Sequence, residues 1–205
     1  MTYRTPITRF VRIGIGVAAA GTILGATLAP MVLAQTSPAQ TAQAQTADSL
    51  ALTVAETEGP YFKAGSPEAT TLLQDGMQGQ VITVTGQVVD QNGQPVANAL
   101  LDFWQANSSG AYDNSGYTLR GHQYTDANGN YTLTTVVPGL YPGRTEHIHV
   151  KVEAPNGPML TTQLFFPGVA QNARDGIFDP SLLLNVTDNG DGTLSATYNF
   201  VVATA

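Results

Sequence analysis

The chain has 205 residues, with 15 acidic and eight basic side chains and a formal net charge of −7. Only 11% of residues are charged, against a usual share of about 25%, while Gly and Pro are plentiful, so the composition is that of a folded, turn-rich chain of one ordinary domain plus appendages. An acidic chain with no basic stripe excludes an electrostatic nucleic-acid footprint, and the absence of cysteine excludes disulfides, thiolate metal ligands and cysteine nucleophiles.

At the N-terminus, Arg4, Arg9 and Arg12 precede an apolar stretch from Ile13 to Leu33, and Val32 and Ala34 stand as the small residues of a cleavage site. This order is that of a secretory signal peptide covering residues 1–34. Cleavage after Ala34 is expected, which places the mature chain in the periplasm or outside the cell. An uncleaved membrane anchor is the alternative for a stretch of this length. Residues 35–50 are rich in Ala, Gln and Thr and carry no apolar period, which predicts a flexible tether. The folded domain is expected over residues 51–205.

Beyond the tether the pattern is β. VITVTGQVVD (Val81 to Asp90) is rich in β-branched residues, and Asn92-Gly93 suits the turn after it. ALLDFWQ (Ala99 to Gln105) predicts a second strand, with Trp104 largely buried. Asn128-Gly129 marks a turn before NYTLTTVV (Asn130 to Val137). HIHVKVEA (His147 to Ala154) and MLTTQLFF (Met159 to Phe166) are two further strands, joined by PNGP. LSATYNFVV (Leu194 to Val202) reads as a closing strand. Short helical pieces are expected only around Pro67 to Leu73 and Pro180 to Leu184. Short strands with Gly, Asn and Pro punctuation predict an all-β fold, an antiparallel β-sandwich of prealbumin type with long site-forming loops.

The sharpest local feature is His-Ile-His at 147–149. Strand side chains alternate faces, so His147 and His149 project to one side and can chelate one metal ion. Taken alone, the pair serves either as a metal anchor or as two polar strand positions. Glu146 adjoins His147 and points to the opposite face. Tyr141 lies between a Pro-Gly turn and Pro142, Tyr112 ends WQANSSGAY, and Gln163 sits in the adjacent strand. Each of these residues could equally pack. His122 reads as a solvated surface histidine and Tyr124 as a strand packing residue. No Ser-His-Asp elbow and no phosphate-binding glycine loop is present.

The segments TEGPYF (Thr57 to Phe62), DFWQANSSGAY, RGHQYTDANGNY, PGLYPGRTEHIH and TTQLFFPG follow one another in an order that resembles the intradiol ring-cleavage dioxygenases. That family includes the catechol 1,2-dioxygenases and protocatechuate 3,4-dioxygenases. The C-terminal LLLNVTDNGDGTLSATYNFVV is similar to the family's closing strands. The resemblance implies ferric iron held by Tyr112, Tyr141, His147 and His149. It places Arg144 and Gln163 near the substrate, with Arg144 stabilising negative charge and Tyr141 leaving the metal to accept a substrate proton. Tyr61 either lines the pocket rim or packs. The implied reaction opens a small aromatic diol with O2, between its two hydroxyl-bearing carbons, to a muconate-type diacid. The implied partners are the diol and O2, with no nucleic acid, no membrane after leader removal, and a homo-oligomer compatible with the pattern. Two other readings use parts of the same sequence: a non-catalytic secreted prealbumin-like module, and a zinc or copper protein built on the HIH pair.

Overall fold

A computed structural model describes residues 49–205. The leader and most of the expected tether lie outside these residues. Nine strands form two sheets: β1 (Val81–Asp90), β2 (Leu100–Gln105), β3 (Arg120–Tyr124), β4 (Asn130–Val136), β5 (His147–Glu153), β6 (Met159–Phe165), β7 (Asn185–Asp188), β8 (Leu194–Thr197) and β9 (Phe200–Val202). The first sheet runs β4-β1-β8-β7, with β9 also paired to β1, and the second runs β3-β2-β5-β6. The expected β-sandwich is what the chain forms.

The core lies between the sheets. Ile82, Val84 and Val88 from β1 and Leu133 from β4 meet Leu101, Phe103, Ile148, Val150, Val152 and Leu164 from the second sheet. Their period of two directs these side chains inward and leaves the intervening residues on the outer faces. Each fully buried side chain of this size contributes about 1.5–3 kcal/mol. Trp104 is buried as expected, but on the outer face of its sheet rather than in this core.

Three expectations about the backbone need correction. The first sheet is not wholly antiparallel, because β8 and β9 both pair parallel with β1. The closing segment is two strands, not one. The chain crosses β1 at Tyr198, whose amide donates to the Thr85 carbonyl. A Cβ on Gly86 would come within 1.7 Å of the Tyr198 carbonyl oxygen, so the crossing requires glycine there. The piece at Pro67–Leu73 is extended rather than helical. Its polar groups are satisfied across the fold: Ala69 and Leu72 donate to the carbonyls of His122 and Thr134, and Pro67 accepts from the His122 amide. The second helical expectation holds as a 3-10 turn at Pro180–Leu182, and another occurs at Ala170–Arg174.

The segment from Leu52 to Leu73 wraps the second sheet: it starts along the β6 edge, where the Glu56 amide donates to the Thr161 carbonyl, crosses the outer face at Thr57 to Lys63, and ends beside β3 and β4. Thr162 Oγ1 donates to the Val54 carbonyl and Gln163 Nε2 to the Thr57 carbonyl. Phe62 packs edge-on against Trp104 at 4.9 Å between centroids. Lys151 bridges to Glu58 at 2.5 Å and lies 3.7 Å from the Phe62 ring centre. His122, expected in solvent, is a half-buried part of this seam, with Nδ1 2.8 Å from the Ser66 carbonyl oxygen. Tyr124, expected to pack, is 52% exposed.

Candidate metal centre

The strand register builds one row across the outer face of the second sheet. Trp104 is paired with Arg120 on one side and with His149 on the other, and His149 is paired with Gln163. His147 lies two residues along β5 on the same face. The Trp104 and His149 rings stack at 4.7 Å and 8°, which fixes the imidazole plane.

Two loops bring the tyrosines to this row. The loop after β2 carries Tyr112 and the loop after β4 carries Tyr141. The Gly110 amide donates to the Asn107 carbonyl, and so does the Gly139 amide. Gly110 has φ +79°, and a Cβ there would lie 2.1 Å from the Leu140 carbonyl oxygen. Only glycine allows both that backbone conformation and the close approach of the two tyrosine loops.

The side chains converge. His147 Nε2 lies 3.1 Å from His149 Nε2 and 3.3 Å from Tyr112 Oη. His147 Nδ1 lies 2.6 Å from the Thr145 carbonyl oxygen. A carbonyl only accepts, so Nδ1 carries the proton and Nε2 keeps its lone pair toward the cluster. Tyr141 joins through Tyr61. Their hydroxyls are 3.1 Å apart, the Tyr61 ring stacks on Tyr112 at 4.3 Å and 16°, and Tyr141 stands edge-on to Tyr112 at 6.1 Å.

A second network backs the cluster. Arg144 Nε donates to Asp175 Oδ2 at 2.9 Å and Arg144 Nη2 to Gln163 Oε1 at 2.5 Å. The same Asp175 oxygen accepts the Thr145 amide at 2.8 Å, so one carboxylate positions both Arg144 and the residue that sets the His147 tautomer. Burial pushes the Asp175 carboxyl up. The Thr145 and Ile177 amides and Arg144 outweigh it and hold the carboxyl below its ordinary range.

Burial and hydrogen bonding set the electrostatics of His147, His149, Tyr112 and Tyr61. Burial lowers the His147 pKa to about 4 and pushes His149 well below its ordinary value. Burial raises the Tyr112 phenol, and the hydrogen bond to Tyr141 raises Tyr61. Unprotonated imidazoles are metal ligands in waiting. A buried phenol needs a strong positive charge nearby to ionise, which a bound cation supplies.

The donors fit such a cation. Two nitrogens bound at 2.0–2.1 Å to one metal at roughly right or tetrahedral angles lie about 2.8–3.4 Å apart, and the observed separation is 3.1 Å. His149 Nδ1 is buried with no protein partner, so no hydrogen bond within the protein occupies that imidazole's other nitrogen. Among the described residues no three His, Cys, Asp or Glu side chains converge. The set is therefore imidazole plus phenol, a hard and anionic combination once ionised that suits a trivalent ion over a soft one.

All seven residues singled out in the sequence fall in this region: Tyr61, Tyr112, Tyr141, Arg144, His147, His149 and Gln163. A hollow of about 270 Å³ opens beside them, lined by Leu140, Tyr141, Pro142, Gly143, Arg144 and Gln171. Sequence reasoning missed Asp175 and Arg120, each a single charged residue outside the recognised tyrosine and histidine positions. Arg120 lies in one of the family-like segments, but only the register places its side chain in the site row.

The chain is similar to known dioxygenases. A family model described as "Dioxygenase" matches residues 57–204. The protocatechuate 3,4-dioxygenase beta chain of Burkholderia cepacia is 37% identical over 118 residues, covering 49% of this chain and 50% of its own. The chain spans about half the length of the curated relatives it matches. Among solved structures, the dioxygenase domain of a dioxygenase carbohydrate-binding protein fusion from the cellulolytic bacterium Streptomyces sp. SirexAA-E is 50% identical. It superposes with a TM-score of 0.73, covering 76% of this chain and all of that one. The 3-chlorocatechol 1,2-dioxygenase of Rhodococcus opacus 1CP is 30% identical with a TM-score of 0.69, covering 75% of this chain and 73% of its own. By family match, fold and the order of its site segments, the chain belongs to the intradiol ring-cleavage dioxygenases.

Proposed function

We propose that the protein is a ferric, non-haem dioxygenase that cleaves a catechol-type ring with O2 between its two hydroxyl-bearing carbons, giving a muconate-type diacid. The observation that carries this reading is the convergence of Tyr112 Oη, His147 Nε2 and His149 Nε2 within 3.3 Å links, with Tyr141 joined through Tyr61. Tyr112, Tyr141, His147 and His149 would hold the iron. Ferric iron held there would supply the positive charge that ionises the phenols and a redox-active centre that makes a bound diol reactive toward O2.

The chain's own residues do the rest. Thr145 holds the proton of His147 on Nδ1, so Nε2 stays a donor. Tyr141 Oη can accept a proton from the incoming diol, and Tyr61 Oη is placed to share it by their hydrogen bond. Arg144 is pinned by Asp175 and Gln163 and offers a fixed positive charge to negative charge developing on the substrate, with no reorganisation at the moment of reaction. Trp104 and Phe62 cover the histidine face and exclude water from it.

We further propose that the protein acts outside the cytoplasm. The basic start, apolar stretch and small-residue exit over residues 1–34 support this. N-terminal sequencing of the mature protein tests it, and finding Met1 retained would refute cleavage.

Colour, iron content and oxygen uptake together test the enzymatic reading. Purified protein loaded with ferric iron is expected to be reddish from phenolate-to-iron charge transfer. It should consume one O2 per catechol and release a diacid. A protein that binds zinc or copper in place of iron by elemental analysis, or a colourless one that binds no metal, would refute it in favour of a metal-binding or non-catalytic module.

A further inference from the structure

Arg120 opens β3 and is only 3% exposed. Among the described residues it makes no ion pair: the two salt bridges found join Arg144 to Asp175 and Lys151 to Glu58. The acids near it are engaged elsewhere. The Asp113 carboxylate accepts the amides of Ser115, Gly116 and Thr118, and Asp102 accepts the Ser66 hydroxyl. A buried guanidinium without a carboxylate is costly, and a fold retains one only where its donors are well used.

All of its side-chain hydrogen bonds go to two main-chain carbonyls. Nη1 donates to Tyr61 at 2.6 Å, while Nη2 and Nε donate to Asp113 at 3.0 and 3.3 Å. One carbonyl belongs to Tyr61 and the other to the residue directly after Tyr112. Those are the two chain segments whose rings stack at 4.3 Å, and Tyr61 in turn holds the Tyr141 hydroxyl. The planar fork of arginine reaches both carbonyls at once, which the single ammonium of lysine does not.

We propose that Arg120 is a positioning residue of the candidate metal centre: its guanidinium clamps the Tyr61 and Tyr112 segments together and so sets where the candidate phenol ligands stand, Tyr112 directly and Tyr141 through the Tyr61 hydroxyl. It touches neither substrate nor metal in this role. The proposal rests on the ferric reading for its catalytic consequence, but the clamp can be measured without iron.

Two metal-free readouts test the clamp. In the wild-type apo-protein, the Arg120 Nε–H is expected to exchange slowly with solvent, and the Tyr61 and Tyr112 ring protons to show upfield shifts from mutual stacking. Tyr61→Phe and Tyr112→Phe supply the assignments. In Arg120→Lys and Arg120→Gln those ring shifts are expected to collapse toward unstacked values, with lysine no better than glutamine. Ferric affinity, read from the visible band, is expected to fall about 10–100-fold, the usual effect of removing an outer support of a metal ligand. Unchanged ring shifts in both variants, or rescue by lysine alone, would overturn the clamp. Fast exchange of Nε–H in the wild type would overturn it too, and needs no variant to fold. A wild-type protein with stacked rings that takes up no ferric iron would refute the proposed function while leaving the clamp standing.

Discussion

Replacing Asp175 by alanine is the most informative single perturbation outside the ligand set. The carboxylate accepts the Thr145 amide at 2.8 Å, the Ile177 amide at 3.1 Å and Arg144 Nε at 2.9 Å. Its side chain is 1% exposed and that of Arg144 is 19% exposed. Breaking a buried pair by removing one partner costs about 3–5 kcal/mol. Arg144 can recover some hydration, so the lower end, about 3 kcal/mol, is expected. For a domain of this size that corresponds to a fall in Tm of about 6–12 °C. Asp175→Asn keeps the shape and one acceptor, and should cost about 1–2 kcal/mol. Both variants loosen Thr145, whose carbonyl holds the His147 proton, so ferric affinity should fall by about tenfold or more. Urea unfolding of the apo-protein reads the first effect and titration of the visible band reads the second. If Asp175→Ala loses less than about 1 kcal/mol and binds ferric iron as the wild type does, the carboxylate does not organise the site and the reasoning fails.

His149→Ala should abolish iron retention, and elemental analysis after desalting checks it. Tyr141→Phe should keep a coloured, iron-bound protein but slow turnover by about 10²–10⁴-fold, the range for loss of an acid–base group, as read by oxygen uptake. Gly110→Ala should be among the most damaging loop changes, because a Cβ meets the Leu140 carbonyl at φ +79°. An expected loss of about 3 kcal/mol or more would appear as a lower Tm together with lost iron binding. Asp126 and Asp113 take backbone amides of their own turns, from Asn130 and Gly116 first, and both carboxyls are held below their ordinary range. Their stabilisation is therefore complete above about pH 4, the unfolded value, and is lost as pH falls through the lower folded values. In Asp126→Asn the decline of Tm between neutral and acid pH should be shallower than in the wild type.

The longer strands β1, β2, β4, β5 and β6 were legible because apolar or β-branched runs bounded by Asn-Gly and Pro-Gly leave few alternatives, whereas β3 and β7 are short and polar and carry no such run. The His147–His149 pair was legible because alternation alone puts both on one face. What the sequence did not reveal was the non-local part. The backbone at Pro67–Leu73 bonds to His122 and Thr134, partners far along the chain, so a local helical expectation had nothing to correct it. The parallel pairing of β8 and β9 to β1 depends on how the chain returns, which no periodicity encodes. Arg120 and Asp175 act through main-chain carbonyls and amides, and a residue that recognises backbone leaves no complementary side chain to notice. Tyr61 could be read as packing or pocket, and in the structure its ring packs while its hydroxyl reaches Tyr141.

The site stands on the outer face of a sheet whose inner face is the hydrophobic core, under a cover formed by Thr57 to Lys63. The two sides of the sheet share backbone but not side chains, so they can change separately. Substitutions in the cover, at Phe62 for example, can change what lies over Trp104 and His149 without opening a cavity among Phe103, Ile148 and Leu164. Under the proposed function, a fold organised this way can adjust which aromatic ring it admits while its stability is carried by residues that never meet the ring.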